Sequence, residues 1–237
     1  MNRSLTLILP AYNEGESIRT TLLEIDTKIQ PTRKVSLFVS EDGSKDNTRE
    51  EVLESAKLVK NCQIILAEPA KRLGYSRGVL RGIKECQSEL IGFMDADGQC
   101  DPADLESLLQ KVEKGKIVVG YRNPRNDSKA RIAYSKAFGL AYQLFGGPKR
   151  KDPSSPFIVC LSEDIQFLTS TTPHLSFGFW WEFQTRIHKR GLGVVEVPVN
   201  HRVRTAGETQ VYALKRIPKI VYTHLVGLYK LRKELSN

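Results

Sequence analysis

The sequence predicts an α/β fold: an open, mostly parallel, twisted sheet flanked by helices. Short apolar runs typical of buried strands alternate with segments of helical periodicity, and the connections between them are short. Acidic or glycine-containing segments follow the apolar runs of the first half of the chain. Ligands of parallel sheets bind beyond the carboxyl ends of the strands, so we expect these segments to share one binding edge.

Individual elements follow from local patterns. The predicted strands are short apolar segments at residues 5–9, 35–39, 63–67, 90–94, 117–120 and 193–199. Helices are predicted between them, the first with Asn13 as its N-cap and a later one beginning at Ser162. From Lys215 the tail carries a helical apolar stripe bordered by Lys and Arg. Such a helix either lies on an anionic bilayer or docks on the protein's own core.

Composition narrows the class of protein. A hydrophobic fraction of 40% and a charged fraction of 27% describe a globular chain rather than a disordered one. The formal charge of +9 favours an anionic partner, which could be nucleic acid, an anionic membrane or a phosphorylated substrate. The cysteines are scattered without a C-x-x-C pair, and no signal peptide precedes the first strand, so we expect a cytosolic protein with reduced thiols.

A pair of aspartates follows the predicted strand at residues 90–94. Asp95 and Asp97 are two residues apart, so on extended backbone both carboxylates point to the same side. Hard oxygen ligands of this kind suit Mg²⁺ or Mn²⁺, although Asp and Gly are also common in ordinary turns. Neither G-x-G-x-x-G nor a P-loop motif occurs. The phosphates of a bound nucleotide would therefore have to be held by a cation, which this pair could supply.

Several charged residues of the second half admit two interpretations. Arg122 and Arg131 could pair with phosphate oxygens or be solvated surface charges. Glu163 and Asp164 could supply a general base, but acidic residues are also expected at a helix start. Glu182, within an aromatic cluster, is the better spare carboxylate, unless it is buried with a basic partner.

Residues 9–14 (LPAYNE), 41–44 (EDGS) and 94–99 (MDADGQ) resemble successive motifs of the family 2 glycosyltransferases, which have the GT-A fold. Residues 120–122, 152–157 and 196–209 resemble motifs of the dolichol-phosphate mannosyltransferase branch, whose members use polyprenyl phosphates. The resemblance spans residues 5–230. The chain departs from the motifs at four positions, namely Glu41, Tyr121, Pro156 and Gln210.

The resemblance implies roles for specific side chains. The residues that it places on the nucleotide-sugar are Pro10, Tyr12, Glu14, Asp42, Asp95, Ala96, Asp97 and Gln99. Those that it places on the metal are Asp95, Asp97 and Gln99. Those that it places on the acceptor phosphate are Arg122, Arg131, Ser135 and Arg204. Catalysis is expected to depend on Asp95, Asp97, Arg122, Arg131 and Arg204.

The same resemblance suggests how the chain is organised. We expect a single glycosyltransferase domain over residues 1–237. Residues 5–120 would bind the nucleotide-sugar, residues 121–210 would bind the acceptor, and residues 211–237 would form the basic amphipathic helix.

The implied activity is that of a metal-dependent, inverting hexosyltransferase. Its donor would be a nucleotide-sugar of the GDP-mannose or UDP-glucose type, and its acceptor a polyprenyl or dolichyl phosphate at the cytoplasmic face of a membrane. Such an enzyme would work as a peripheral protein on an anionic membrane surface, alone or with a membrane-spanning partner protein, and would not bind nucleic acid. A phosphate acceptor is already anionic near neutral pH and needs positioning cations rather than a base.

Two alternatives remain at this point. A family 2 enzyme with a saccharide hydroxyl acceptor would need a base, for which Asp164 or Glu182 are the candidates. A non-catalytic basic module for nucleic acid or membrane is disfavoured because acidic motifs recur at the predicted strand ends.

Overall fold

A computed structural model of the protein describes residues 3–69, 71–125, 129–175, 178–203 and 217–236, without the side chains of residues 129–131, 134 and 217–219. Within these ranges seven strands form one sheet, in the order β3-β2-β1-β4-β6-β5-β7. The strands are β1 (Leu5–Ala11), β2 (Val35–Glu41), β3 (Gln63–Ala67), β4 (Leu90–Phe93), β5 (Lys116–Arg122), β6 (Ile158–Leu161) and β7 (Gly193–Val199).

The sheet is mostly parallel. β1 pairs in parallel with β2 and β4, β2 with β3, and β5 with β7. β6 runs antiparallel to both of its neighbours, β4 and β5. The predicted fold class is confirmed, but β6 was not predicted, because its four residues follow an irregular segment rich in Gly and Pro.

The helices connect these strands. Those of the described residues are α1 (Ile18–Lys28), α2 (Thr48–Ala56), α3 (Tyr75–Glu85), α4 (Leu105–Leu109), α5 (Lys129–Leu144), α6 (Ser162–Ile165), α7 (Phe179–Lys189) and α8 (Ile217–Ser236). Two short 3₁₀ helices cover Pro102–Asp104 and Gln166–Ser170.

The predicted start of the first helix was wrong. α1 begins at Ile18, with Ser17 at the N-cap position, four residues beyond the expected cap at Asn13. Asn13 has a φ of 56°, in the left-handed region, and connects two loops instead. Its backbone N–H donates to Ser44 Oγ, and its side-chain oxygen accepts from the N–H of Lys45. This contact fixes the loop after β1 against the loop after β2.

Alternating strand residues fill the core on both faces of the sheet. In β1, Leu5, Leu7 and Leu9 pack on the face covered by α1, α2 and α4, whereas Ile8 packs on the face of α3 and α7. A third cluster joins α5, α7 and α8 through Tyr142 and other buried side chains. The helices are therefore distributed over both faces, as predicted for an open α/β sheet.

α8 docks on the protein's own core through buried residues including Leu228 and Leu231. It also exposes a second apolar stripe, which consists of Val221, Tyr222, Leu225 and Tyr229. None of the helices in the described ranges is long and apolar enough to cross a membrane.

Candidate active site

The carboxyl ends of the parallel strands bring the predicted site residues to one edge of the sheet. Tyr12 follows β1, Asp42 follows β2 and Asp95 comes shortly after β4. Arg122 is the last residue of β5, which runs in the same direction as β4 because β6 is antiparallel to both. Sequence reasoning therefore placed the acidic segments at the correct edge.

Asp95 and Asp97 lie on the tight turn after β4. The N–H of Gln99 donates to Asp97 Oδ1 at 3.1 Å, and the carbonyl of Ala96 accepts the hydroxyls of Ser17 and Thr21, both at 3.2 Å. The segment is therefore a turn, as one interpretation predicted, and it also carries the two carboxylates that the other interpretation considered for a cation. The bonds to Ala96 attach this turn to α1.

Burial and like charge together determine the electrostatics of the pair. Desolvation, and next the charge of Asp97, raise the pKa of Asp95 well above its usual range. A hydrogen bond from Tyr75 and the charge of Arg122 act in the opposite direction, while Glu14 adds to the increase. Asp95 therefore lies in the field of three other charged groups, which are Asp97 on its own turn, Glu14 after β1 and Arg122 at the end of β5. Such an excess of negative charge favours a bound cation.

Tyr75 was not predicted as a site residue. Its hydroxyl donates to Asp95 Oδ1 at 2.7 Å and accepts the indole N–H of Trp180 at 2.8 Å. The loop at residues 74–78 was expected at the binding edge, but nothing in its sequence indicates which side chain faces the aspartates. The contact with Trp180 explains the position of that aromatic residue, which packs in the core beside the site.

Gln99 is tied to the segment after β7. Its side-chain N–H donates to the backbone carbonyl of Arg202 at 3.4 Å. Its backbone carbonyl accepts the backbone N–H of Arg202 at 2.8 Å. In the described part of the chain, no group of three or more His, Cys, Asp or Glu side chains is arranged to hold a metal ion. The role of Gln99 as a metal ligand stays a prediction.

Asp42 organises the loop that carries Tyr75. Its carboxylate accepts the backbone N–H groups of Leu73 and Gly74 and pairs with Arg72 Nε at 3.2 Å. Arg72 also stacks on Tyr12, with its guanidinium carbon 3.5 Å from the ring centroid. The two predicted nucleoside residues, Tyr12 and Asp42, are therefore joined by an arginine that sequence reasoning missed.

Two further acidic residues of the motifs shape loops. Glu41, which departs from the family motif, accepts the N–H of Gly43 at 3.0 Å and that of Ser44 at 2.5 Å. Glu14 accepts the hydroxyl of Ser17 at 3.2 Å. Pro10 is the penultimate residue of β1 and is partly buried. Contacts of Pro10 and Glu14 with a nucleotide stay predictions.

Arg122 is not the solvated surface charge that one interpretation expected. Its side chain is 7% exposed, and it forms a two-point ion pair with Asp152, whose side chain is 2% exposed. It also donates to Ser154 Oγ at 2.6 Å. Burial alone would raise the pKa of Asp152, but the hydrogen bonds and charge of Arg122, with Arg125, lower it to about 2.

Of the other predicted acceptor residues, the side chain of Ser135 lies within the described part of the chain. Ser135 on α5 accepts a hydrogen bond from Arg125 Nη1 at 3.3 Å. The side chain of Arg131 and the whole of Arg204 and Gln210 fall outside the described residues. Their roles stay predictions. Arg125, which was not predicted, contributes a positive charge to the same corner of the site.

Residues 6–181 of the chain match the model of the family described as glycosyl transferase family 2. The protein belongs to family 2 of the glycosyl transferases. The matched region contains the turn with Asp95 and Asp97, the loop with Tyr75 and the pair formed by Arg122 and Asp152.

Two curated relatives of this family 2 chain act on polyprenyl phosphates, according to their names. It is 27% identical over 236 residues to a dolichol-phosphate mannosyltransferase of Pyrococcus furiosus, with 96% of this chain and 63% of the relative covered. It is 28% identical over 149 residues to an undecaprenyl-phosphate 4-deoxy-4-formamido-L-arabinose transferase of Pseudomonas fluorescens, with 62% and 44% covered. The chain thus spans less than two thirds of the length of either relative.

Solved structures share its fold. A mannosyl-3-phosphoglycerate synthase from Rubrobacter xylanophilus superposes with a TM-score of 0.71 at 16% identity, covering 98% of this chain and 75% of that one. A glucosyl-3-phosphoglycerate synthase from Mycobacterium tuberculosis, solved with Mn²⁺ and UDP, gives a TM-score of 0.66 at 16% identity, covering 96% and 80%.

Two of the carboxylates considered as a general base, Asp164 and Glu182, make structural contacts. Asp164 follows β6, at the edge of the sheet opposite to Asp95, and accepts the N–H of Gly115 at 2.9 Å. Glu182 is buried in an ion pair with Arg186 at 2.7 Å. The interpretation of Glu182 as a residue buried with a basic partner is confirmed.

Proposed function

We propose that this family 2 glycosyltransferase moves a hexose from a nucleoside-diphosphate sugar to a polyprenyl phosphate, with inversion at the sugar. The distribution of charge at the carboxyl edge of the sheet carries this proposal. A carboxylate pair at the end of β4 lies beside a buried arginine at the end of β5. Of the two carboxylates considered as a base for a hydroxyl acceptor, Asp164 lies at the opposite edge of the sheet and Glu182 is held in an ion pair with Arg186.

The donor diphosphate would be bound through a divalent cation at Asp95 and Asp97. Two hard oxygen donors that repel each other fit Mg²⁺ or Mn²⁺, and the fold neighbour solved with Mn²⁺ and UDP is consistent with this assignment. Such an ion, when bound, would stabilise the charge that develops on the departing diphosphate. Asp95, Asp97 and, as the family motif implies, Gln99 are the residues that would hold the ion.

The nucleoside would lie against the loops after β1 and β2. Tyr12 offers an aromatic ring whose face is already occupied on one side by Arg72, and Asp42 holds the backbone of residues 73 and 74 in place. Pro10 and Glu14 border the same loop. These groups orient the donor so that its sugar faces the corner with Arg122.

A phosphate acceptor needs cations in place of a base. A phosphate monoester carries more than one negative charge near pH 7, so it can attack the sugar without losing a proton to the enzyme. Arg122 is held by Asp152, with Arg125 beside it and Ser135 on the adjacent helix. With Arg131 and Arg204, whose roles come from the family motif, this group would position the acceptor.

The acceptor would be reached from an anionic membrane surface. The second apolar stripe of α8 and the exposed Leu140 and Leu144 of α5 offer side chains for insertion between lipid headgroups. Among the described side chains of the same two helices, the exposed basic ones are Lys136, Lys230, Arg232 and Lys233. This arrangement supports a peripheral enzyme at the cytoplasmic face, alone or with a membrane-spanning partner.

Transfer to lipid is the experiment that tests this function. Purified protein is incubated with Mn²⁺ or Mg²⁺, vesicles that contain polyprenyl phosphate, and either GDP-mannose or UDP-glucose labelled in the sugar. We expect label to become extractable into organic solvent with at least one donor. Asp97→Ala should abolish this transfer, whereas Asp101→Asn, at the N-cap aspartate of the following 3₁₀ helix that pairs with Arg202, should retain it. Label that stays in the aqueous phase as a saccharide product would favour the hydroxyl-acceptor alternative.

A further inference from the structure

One tyrosine hydroxyl connects the aspartate turn to the aromatic core. Tyr75, the first residue of α3, donates to Asp95 Oδ1 at 2.7 Å and accepts from Trp180 Nε1 at 2.8 Å. Because the indole nitrogen is always a donor, the hydroxyl proton is directed to the carboxylate. The chain of bonds therefore has one direction, from Trp180 through Tyr75 to Asp95.

The indole at the start of this chain is held rigidly. Trp180 is 6% exposed and contacts Phe93 edge to face, with ring centroids 5.2 Å apart. Phe183 packs on the same indole at 5.5 Å. The ring of Tyr75 itself meets Trp180 edge to face at 6.4 Å. With the indole fixed by core packing, the hydroxyl of Tyr75 is confined to one place.

The two aspartates are thus oriented by different parts of the molecule. Asp97 is held by the backbone of its own turn, through the N–H of Gln99. Asp95 receives its hydrogen bond from α3, and through Trp180 from α7. Since a metal-ligating carboxylate needs a partner that fixes its plane, the bond from Tyr75 meets a requirement that the turn alone does not.

We propose that Tyr75 is a positioning residue that fixes the carboxylate of Asp95 for binding a divalent cation together with the donor diphosphate, and that Trp180 fixes Tyr75. This inference rests on the proposed function. The hydroxyl engages Oδ1 of Asp95, and its bond does not use Oδ2. Without the hydroxyl, Asp95 can rotate, and the cation must hold it in place at a cost in affinity.

Direct binding of Mn²⁺ tests the proposal independently of catalysis. Free Mn²⁺ is measured by electron paramagnetic resonance during titration of the protein with saturating UDP or GDP. Tyr75→Phe removes only the hydroxyl, and we expect it to weaken Mn²⁺ binding by about 10-fold. The matched control is Tyr142→Phe, which removes a buried hydroxyl that donates to the carbonyl of Trp181 and should not change the affinity.

The role of Trp180 is tested by a double-mutant cycle. Trp180→Phe should weaken Mn²⁺ binding in the same direction, and the double variant should bind about as weakly as Tyr75→Phe alone, because both changes act through one hydroxyl. Circular dichroism confirms that each variant is folded. A Tyr75→Phe variant that lowers the melting temperature but binds Mn²⁺ like the wild type would overturn the proposal. A wild-type protein that binds no Mn²⁺ with either nucleotide would instead overturn the proposed function.

Discussion

Arg122 and Asp152 form a two-point ion pair, with Nε 2.6 Å from Oδ2 and Nη2 2.8 Å from Oδ1. The backbone N–H of Arg122 approaches the same carboxylate at 3.3 Å, so one side chain of the loop before β6 satisfies both the main chain and the side chain at the end of β5. A guanidinium held in this way is ordered before any ligand arrives. Its charge is available at the site without loss of side-chain entropy on binding.

Removing Asp152 should therefore be costly. Asp152→Ala leaves a buried guanidinium without its main counter-charge, and we expect the free energy of unfolding to fall by about 3–5 kcal/mol. Urea unfolding followed by circular dichroism measures this change. The control is Glu54→Gln, which removes the exposed partner of Lys57 and should leave stability nearly unchanged because solvent screens this pair. Equal effects of the two substitutions would show that the buried pair contributes no more than a surface pair.

The same carboxylate should make stability depend on pH. Because its pKa is about 2 in the folded protein and about 3.9 in an unfolded chain, the unfolded state binds more protons as the pH falls. The stabilisation is complete above about pH 5 and is lost as the pH falls toward 2. Between pH 6 and pH 3 the wild type should lose about 1 kcal/mol more unfolding free energy than Asp152→Asn. Parallel curves for the two proteins would contradict this account.

The sequence was sufficient to place the candidate site because its signals are local. An apolar run followed directly by acidic residues indicates a strand and the chemistry at its carboxyl end, and Asp42 and Asp95 lie where this pattern predicts. The direction of the strands followed from the short helical connections between them.

The side-chain contacts between distant segments could not be predicted from the sequence. Trp180 and Tyr75 are 105 positions apart, and Arg122 and Asp152 are 30 apart, so no periodicity relates them. β6 was missed for a similar reason. Its four residues are a strand only because β4 and β5 lie on either side of them. Such tertiary context overrides the weak propensity of a short segment.

Close packing beneath the site can be tested with two helical glycines. A Cβ at Gly82 on α3 would lie 2.7 Å from Ile8 Cδ1 and 2.9 Å from two further carbons of the same buried side chain. Gly82→Ala should therefore destabilise the protein by about 1–3 kcal/mol. At Gly139 on α5 the nearest atom, of Trp181, is 3.7 Å away, so Gly139→Ala should be neutral or stabilising by up to about 1 kcal/mol. Thermal unfolding of both variants measures the difference, and a stable Gly82→Ala would show that α3 can move away from β1.

Glu182 is held as a structural carboxylate, and its substitution distinguishes this role from a catalytic one. Glu182 Oε2 accepts the backbone N–H groups of His174 and Leu175 at 2.7 and 2.8 Å, while Oε1 faces Arg186. Arg186 in turn pairs with Glu234 of α8 at 2.7 Å. In Glu182→Gln the amide N–H₂ must face either a backbone donor or the guanidinium, so we expect a loss of about 3 kcal/mol in stability.

Transfer by Glu182→Gln, measured at a temperature at which the variant is folded, should nevertheless stay within about 3-fold of the wild type. The loss of a general base would lower the rate by about 10²–10⁴-fold. Asp164→Asn, at the opposite edge of the sheet, provides the matched comparison and should likewise retain transfer. A 100-fold loss of rate in either folded variant would restore the hydroxyl-acceptor mechanism. Retained transfer in both variants would agree with an acceptor phosphate that attacks the sugar without a base.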